Sequence, residues 1–261
     1  MSVVNCEINA AIATVTMNRP GALNALDYEL AVALSQTLTG LAGDAGVRCV
    51  VLAGEGGHFM AGGDIAYFAE KLQQGEGVAE RVGPLFDHVH GIIRTLQTMP
   101  QPVIAKVRGA CAGFGVSLMS ACDLAVVDEN SVFTLAYCHL GVSPDGGSTW
   151  SLPRTLGHKR AAELVFLGDR FGADRAEQIG LVNRVVDAES LDGEVSKLAT
   201  RLSRGPARAY ARAKALLHQS MQTPLDAQLD DERDAFLACA QEPHFAEGVA
   251  AFLEKRPPDF G

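Results

Sequence analysis

The sequence of 261 residues has no long apolar run, no paired cysteines and no excess of basic residues. No window approaches the roughly 18 apolar residues that a membrane-spanning helix needs, and no basic segment followed by an apolar run opens the chain. The six cysteines are scattered, without a C-x-x-C pair or histidines at zinc-ligand spacing. These absences predict a cytoplasmic protein that is not membrane-inserted, with reduced thiols, no metal site and no disulfide framework.

Basic residues are outnumbered by acidic ones, 22 to 31, which gives a formal net charge of −9. Nucleic acids and anionic membranes bind basic surfaces, so the excess of acidic residues argues against either as the main partner. Nucleotide-binding signatures are also missing, because neither G-x-x-x-x-G-K-[ST] nor G-x-G-x-x-G occurs. A hydrophobic content of 48% allows a substantial core, in one large domain or in a domain with a helical appendage.

The periodicity of apolar residues predicts a mixed α/β chain. Strand–helix–strand order at the start of the chain predicts a crossover with parallel pairing. A polar, glycine-interrupted stretch over 66–81 is predicted to be a mobile helix or loop. The other predicted elements are a hairpin over 3–17, helices over 27–41 (with Asp27 as N-cap), 85–96, 116–121, 148–156 and 158–167, and strands over 47–53, 102–107 and 180–186.

The pattern becomes almost wholly helical from Ser190 onward. Helices are predicted over 207–221, 225–240 and 245–254. This change of pattern predicts two regions, a core of residues 1–200 that holds the functional site and a C-terminal helical region of residues 201–261.

Two glycine-rich turns carry the first chemical signal. Each of them, over 61–64 and 113–115, follows a predicted strand, and the second runs directly into an apolar helix. Such turns leave backbone N–H groups unpaired at the positive end of a helix dipole. An anion, or an oxygen that becomes one, can bind there. Two converging N–H groups suit a thioester oxygen that becomes an enolate.

The turn over 143–147 adds one ionisable side chain, that of Asp145. A carboxylate beside an oxygen-stabilising turn is a minimal proton-transfer site. Each candidate also has a structural interpretation. Pro-Asp-Gly is a common turn sequence, Phe114 and Tyr137 can be core aromatics, and His90 can lie on a solvated helix face.

Four motifs in matching order resemble the crotonase superfamily, the enoyl-CoA hydratase/isomerase family. They are NRPGALNAL over 18–26, FMAGGDI over 59–65, the stretch 109–123, and LGVSPDGG over 140–147. The likeness extends over essentially the whole chain. It implies an α/β fold of the ClpP-like type, a spiral of strand–strand–helix turns. It also implies a C-terminal helical region that builds homotrimers, often as a dimer of trimers.

The resemblance also assigns residues. The oxyanion hole falls on the backbone N–H groups of Gly63 and Phe114, where the family holds the thioester oxygen of an acyl-CoA. Coenzyme A is part of that substrate, so no separate cofactor is expected. Lys255 is expected to reach the coenzyme A of a neighbouring subunit. The full set of implied substrate contacts is Ala22, Ala61, Asp64, Ile65, His90, Tyr137 and Lys255.

The sequence departs from the hydratase members at two positions. Ser117 and Tyr137 stand where hydratases carry the two glutamates that position water. Asp145 stands where isomerase members carry their catalytic acid, and the run SPDGGSTWSLPR looks closest to the ring-epoxyphenylacetyl-CoA isomerase type. The expected function is therefore double-bond migration in an acyl-CoA by a single-carboxylate proton shuttle.

Three alternatives stay open at this stage. The first is an enoyl-CoA hydratase that positions water with other residues. The second is a hydrolase like 4-chlorobenzoyl-CoA dehalogenase, in which Asp145 attacks as a nucleophile and His90 assists. The third is a non-catalytic relative that binds acyl-CoA or RNA.

Overall fold

A computed structural model describes residues 2–261, and two β-sheets lie at its centre. The strands in this range are β1 (Val4–Asn9), β2 (Ile12–Met17), β3 (Cys49–Gly54), β4 (Val103–Val107), β5 (Ala110–Ala112), β6 (Leu124–Asp128), β7 (Val132–Thr134), β8 (Phe171–Gly172) and β9 (Arg184–Val186). The larger sheet has the order β1-β2-β3-β4-β6-β9, and the smaller one the order β5-β7-β8.

The larger sheet confirms the predicted hairpin and the predicted parallel crossover. Strands β1 and β2 pair antiparallel, and β2 pairs parallel with β3 from Ile12↔Cys49 to Met17↔Gly54. The pairs β3–β4, β4–β6 and β6–β9 are parallel too. Parallel strands need helical connections across the sheet faces, so both faces are covered and the central strands are buried.

Helices surround these sheets. Over residues 2–261 they are α1 (Tyr28–Ala42), α2 (Ile65–Gln73), α3 (Val78–Thr98), α4 (Phe114–Ser120), α5 (Ser148–Leu156), α6 (His158–Leu167), α7 (Ala173–Gln178), α8 (Leu191–Ser203), α9 (Ala207–Ser220), α10 (Leu225–Ala240) and α11 (Pro243–Glu254). The predicted cap of α1 is confirmed, because the Asp27 side chain accepts a hydrogen bond from Leu30 N–H at 2.9 Å. No helix in the described range is long and apolar enough to cross a bilayer.

The stretch after the first glycine-rich turn is more helical than predicted. Helix α2 fills much of 66–81, and α3 begins at Val78 rather than at Leu85. The two helices are separated at Gly75 and Gly77, both with positive φ. The Arg81 side chain donates to the carbonyls of Lys71 and Gly75, which ties the connection to α3.

The last part of the chain is helical, as predicted. Helix α8 covers the larger sheet, because Leu191, Val195 and Ala199 form a core cluster with residues of β3, β4 and β6. The predicted boundary at 200/201 falls inside α8, and the division into two regions stays a prediction. Helix α9 is joined to the sheet by Lys214, whose ammonium group donates to Asp123 Oδ2 at 2.7 Å.

Replacing Lys214 by Met should lower the free energy of unfolding by about 3 kcal/mol, because it leaves a largely buried carboxylate without its cation. Only 7% of the Lys214 side chain is exposed, and 22% of that of Asp123. Urea unfolding at fixed protein concentration measures the change. Lys197→Met is the matched control, because Lys197 pairs with Glu194 at the surface and should cost about 0.5 kcal/mol or less. Equal midpoints for the two variants would contradict the prediction.

Candidate active site

The segment from Met60 to Asp64 is held by backbone hydrogen bonds on both sides. On one side, Leu26 N–H donates to the Gly62 carbonyl at 2.7 Å, and Asp64 N–H donates to the Leu26 carbonyl at 2.9 Å. On the other side, Ala112 N–H donates to the Met60 carbonyl at 2.8 Å. Within residues 2–261 the Gly63 N–H has no acceptor, so this donor is fixed in place and free.

The second glycine-rich turn lies directly against the first. A Cβ placed on Gly113 would lie 3.5 Å from the Gly62 Cα, and one on Gly115 would lie 2.4 Å from the Met60 carbonyl oxygen. The start of α4 can therefore approach Met60 only because residue 115 is glycine. Gly113 N–H donates to the Thr134 carbonyl at 2.8 Å, whereas the next N–H, that of Phe114, has no acceptor in the described chain.

Asp145 lies close to these turns through Tyr137. The Tyr137 hydroxyl donates to Asp145 Oδ1 at 2.5 Å, and its ring carbon Cζ lies 3.9 Å from the position of a Cβ on Gly113. Tyr137 is 8% exposed and belongs to the hydrophobic core. The structure thus brings together the two free N–H donors, a phenol and a carboxylate.

Burial sets the electrostatics of this group. It raises the pKa of Asp145 above its usual value, although the hydrogen bond from Tyr137 and the charge of His90 act in the opposite direction. Burial likewise raises the pKa of Tyr137, and the adjacent carboxylate adds to that effect. Tyr137 is therefore a hydrogen-bond donor and not a base at neutral pH. His90 is on α3 and exposed to solvent.

The Phe114 side chain does not line an open pocket. It is 2% exposed, and its ring packs under the turn that carries Asp145. A Cβ on Gly146 would lie 2.7 Å from this ring and 2.8 Å from the Ser117 Cβ. The Ser117 hydroxyl donates to the Asp145 carbonyl at 2.9 Å, and the Ser148 hydroxyl donates to the same oxygen at 3.0 Å. No local sequence pattern predicts the contacts of Phe114 and Ser117 with this turn, because they join residues far apart in the chain.

The candidate residues for coenzyme A lie along the edge of the first turn. Ala61 N–H donates to the Leu23 carbonyl at 3.0 Å, which places Ala22 and Ala61 on neighbouring segments. Ile65 begins α2 and is 55% exposed. Asp64 caps the same helix and pairs with Arg19 at 2.9 Å. Burial acts to raise the pKa of Asp64, but the Arg19 and backbone hydrogen bonds outweigh it and lower that pKa.

Lys255 stands apart from the other candidates. It is exposed and ends α11, which packs on α10. Within the described residues it is not brought into the contacts around Asp145. Its expected role toward the coenzyme A of a neighbouring subunit stays a prediction.

Comparison with known proteins defines the class to which this fold and site belong. The sequence model of the enoyl-CoA hydratase/isomerase family matches residues 7–261. The chain therefore belongs to this family, within the crotonase superfamily, and the α/β fold expected from the motifs is confirmed.

Individual relatives carry different activities in their names. The chain is 34% identical to a probable enoyl-CoA hydratase of Rhodobacter capsulatus, over 98% of this chain and 97% of the relative. It is 33% identical to the 1,2-epoxyphenylacetyl-CoA isomerase of Escherichia coli K12, over 100% and 98%. The crystal structure of an enoyl-CoA hydratase from Polaromonas sp. JS666 superposes with a TM-score of 0.92, at 35% identity and with 98% of each chain covered.

Replacing Tyr137 by Phe should raise the pKa of Asp145 further. The hydroxyl stabilises the ionised carboxylate by hydrogen bonding, whereas the burial that raises the pKa is retained in the variant. Carboxyl-carbon NMR titration measures the change, and subtraction of the Asp145→Asn spectrum assigns the signal. Tyr67→Phe serves as the control, because Tyr67 lies on α2 and stacks edge-on against Phe68. An Asp145 pKa that is unchanged or lower in Tyr137→Phe would contradict the prediction.

Proposed function

We propose that the protein is an acyl-CoA isomerase that moves a double bond with Asp145 as its single acid–base group. The observation that carries this proposal concerns Ser117 and Tyr137, which stand at the two positions where hydratases of the family carry glutamates. Ser117 and Tyr137 both direct their hydroxyls onto Asp145, one onto its carbonyl and one onto its carboxylate. These side chains hold Asp145 instead of providing carboxylates that could position and split water.

One carboxylate is sufficient for double-bond migration, because the same group takes and returns the proton. Ionised Asp145 takes a proton from a carbon that the thioester acidifies, and the electron pair of that C–H bond moves toward the thioester oxygen. The resulting dienolate accepts hydrogen bonds from Gly63 N–H and Phe114 N–H. Asp145 then returns the proton two carbons away, and the double bond has moved without net gain or loss of atoms. A raised carboxyl pKa suits both halves of this transfer.

The two free N–H groups supply the electrostatic part of the proposed mechanism. Donors that are fixed before the reaction stabilise developing charge without reorganisation, and losing one costs about 2.7–4 kcal/mol in the transition state. Hydrogen bonds from Leu26 and Ala112 to the neighbouring peptides fix the Gly63 donor. For Phe114, the contact of Gly115 with Met60 does the same.

Coenzyme A itself is proposed to lie along the backbone of Ala22, Ala61 and Ile65. Exposed apolar surface supports this placement, because Leu23 is 42% exposed and Ile65 55%. Asp64 contributes by capping α2 and so orienting the segment, since its carboxylate is occupied by Arg19 and by backbone N–H groups.

Self-association belongs to the same proposal. The C-terminal helices expose large apolar side chains, among them Leu217, Leu225, Phe252 and Leu253, each more than 70% exposed. Apolar surface of this extent is typical of an interface. A homotrimer or a dimer of trimers is expected in light scattering.

Asp145→Asn should abolish double-bond migration, because the amide cannot accept the proton, while binding of a non-reacting acyl-CoA thioether stays nearly unchanged. Folding is not expected to suffer. Because the pKa of Asp145 is raised in the folded protein, ionisation of this carboxyl group lowers the free energy of unfolding as the pH rises through that pKa. The uncharged amide of Asp145→Asn does not ionise, so the variant avoids this decrease. Asp174→Asn, at an exposed position of α7, is the control. Near-normal turnover of Asp145→Asn would contradict the assignment.

A second candidate function rests on His90. This residue is close enough for its charge to lower the pKa of Asp145. A carboxylate with a nearby histidine also fits attack on the halogen-bearing ring carbon of an aromatic acyl-CoA. The carbon–halogen bond breaks, halide leaves, and water hydrolyses the aryl ester that has formed. The experiment is chloride release from 4-chlorobenzoyl-CoA, with His90→Gln as the variant. The isomerase proposal predicts no release. Release that His90→Gln abolishes would establish the dehalogenase reaction instead.

A further inference from the structure

One face of α4 is built around the turn that carries Asp145. Phe114 and Ser117 are three residues apart, so their side chains lie on the same side of the helix. The Phe114 ring packs against Gly146, and the Ser117 hydroxyl donates to the Asp145 carbonyl. Both side chains are buried, at 2% and 1% exposure. Phe114 and Ser117 therefore both contact one peptide unit, Asp145–Gly146.

We propose that Phe114 and Ser117 form a clamp, the α4 clamp, which fixes the Asp145 carboxylate relative to the Phe114 N–H. Phe114 would then contribute twice, through its backbone donor and through its ring as a positioning group. This inference rests on the proposed function, because it concerns the distance between the proton-transfer group and the oxyanion donor of that mechanism.

The geometry of Gly146 supports the clamp. Its φ is +58°, a conformation that favours glycine, and any Cβ there would collide with the ring. The ring and the turn are therefore fitted to each other. A smaller side chain at 114 would leave a void under the turn, and the turn could move into it.

The clamp differs from general core packing in what it controls. The buried ring of Phe133, for comparison, supports strand β7 by stacking on Phe171 at 5.6 Å between ring centroids. Phe114 instead lies directly beneath the turn of the carboxylate. Its loss should therefore alter proton transfer and the environment of Asp145, and not stability alone.

Phe114→Leu should lower kcat for double-bond migration by about 10- to 100-fold, the effect expected when a reacting group moves by up to 1 Å. Binding of the acyl-CoA thioether should change little. In the same variant the Asp145 pKa, measured by NMR, should fall toward its ordinary value, because a loosened turn admits water. Ser117→Ala should shift both quantities in the same direction but less, since Ser148 still donates to the Asp145 carbonyl. Phe114→Met, which keeps most of the bulk, should recover much of kcat.

Phe133→Leu is the matched control, because it removes the same atoms from an equally buried ring. It should lower thermal stability without moving the Asp145 pKa or kcat. Equal effects of Phe114→Leu and Phe133→Leu on kcat and pKa would overturn the clamp, as would an unchanged pKa in Phe114→Leu. If Phe114→Leu does not fold, Phe114→Met and Ser117→Ala are compared in its place, and an unchanged Asp145 pKa in both overturns the clamp.

The same experiment separates the clamp from the proposed function. The pKa measurement needs no turnover. If the parent protein moves no double bond, the isomerase proposal fails, while the pKa of Asp145 in Phe114→Leu still decides whether the clamp exists.

Discussion

The backbone ladder across Leu26, Met60–Gly63 and Ala110–Ala112 is the constraint on which the site depends. Hydrogen bonds of this ladder engage the Gly62 carbonyl and the Asp64 N–H, on either side of Gly63, and leave the Gly63 N–H without an acceptor in the described chain. The same ladder brings the start of α4 against Met60, where glycine at position 115 permits the contact. The two free N–H donors are thus properties of the fold and not of side chains. Side chains then decide what reaction those donors serve.

Asp145 illustrates how the side chains around the donors act together. Desolvation alone would make the carboxylate difficult to ionise, whereas the Tyr137 hydroxyl and the His90 charge favour ionisation. The balance leaves a carboxyl group with a raised pKa, held through its carbonyl by Ser117 and Ser148. Such a group can accept and release a proton within one catalytic cycle. The replacement of two hydratase carboxylates by hydroxyl donors is therefore consistent with a one-base mechanism.

Local signals in the sequence predicted much of the fold. The alternation of apolar and polar residues predicted the hairpin, and Asp27 together with the helical spacing of apolar residues predicted α1. The two glycine-rich turns indicated the N–H donors. The start of α3 was missed because glycine at 75 and 77 suggested a longer irregular stretch. The burial of Phe114 under Gly146 and the hydrogen bond from Tyr137 to Asp145 were missed for a different reason. The first contact depends on how α4 meets a distant turn, and the second on how the chain folds back between residues 137 and 145. No local pattern encodes either arrangement.

The most direct test of the account compares two reactions of the purified protein, double-bond migration in 3-enoyl-CoA and water addition to 2-enoyl-CoA. Because Asp145 is the one carboxylate assigned to proton transfer, migration without efficient hydration is the predicted result. Efficient hydration would contradict the central claim. It would show that the hydroxyls of Ser117 and Tyr137, or the imidazole of His90, activate water where glutamates were expected.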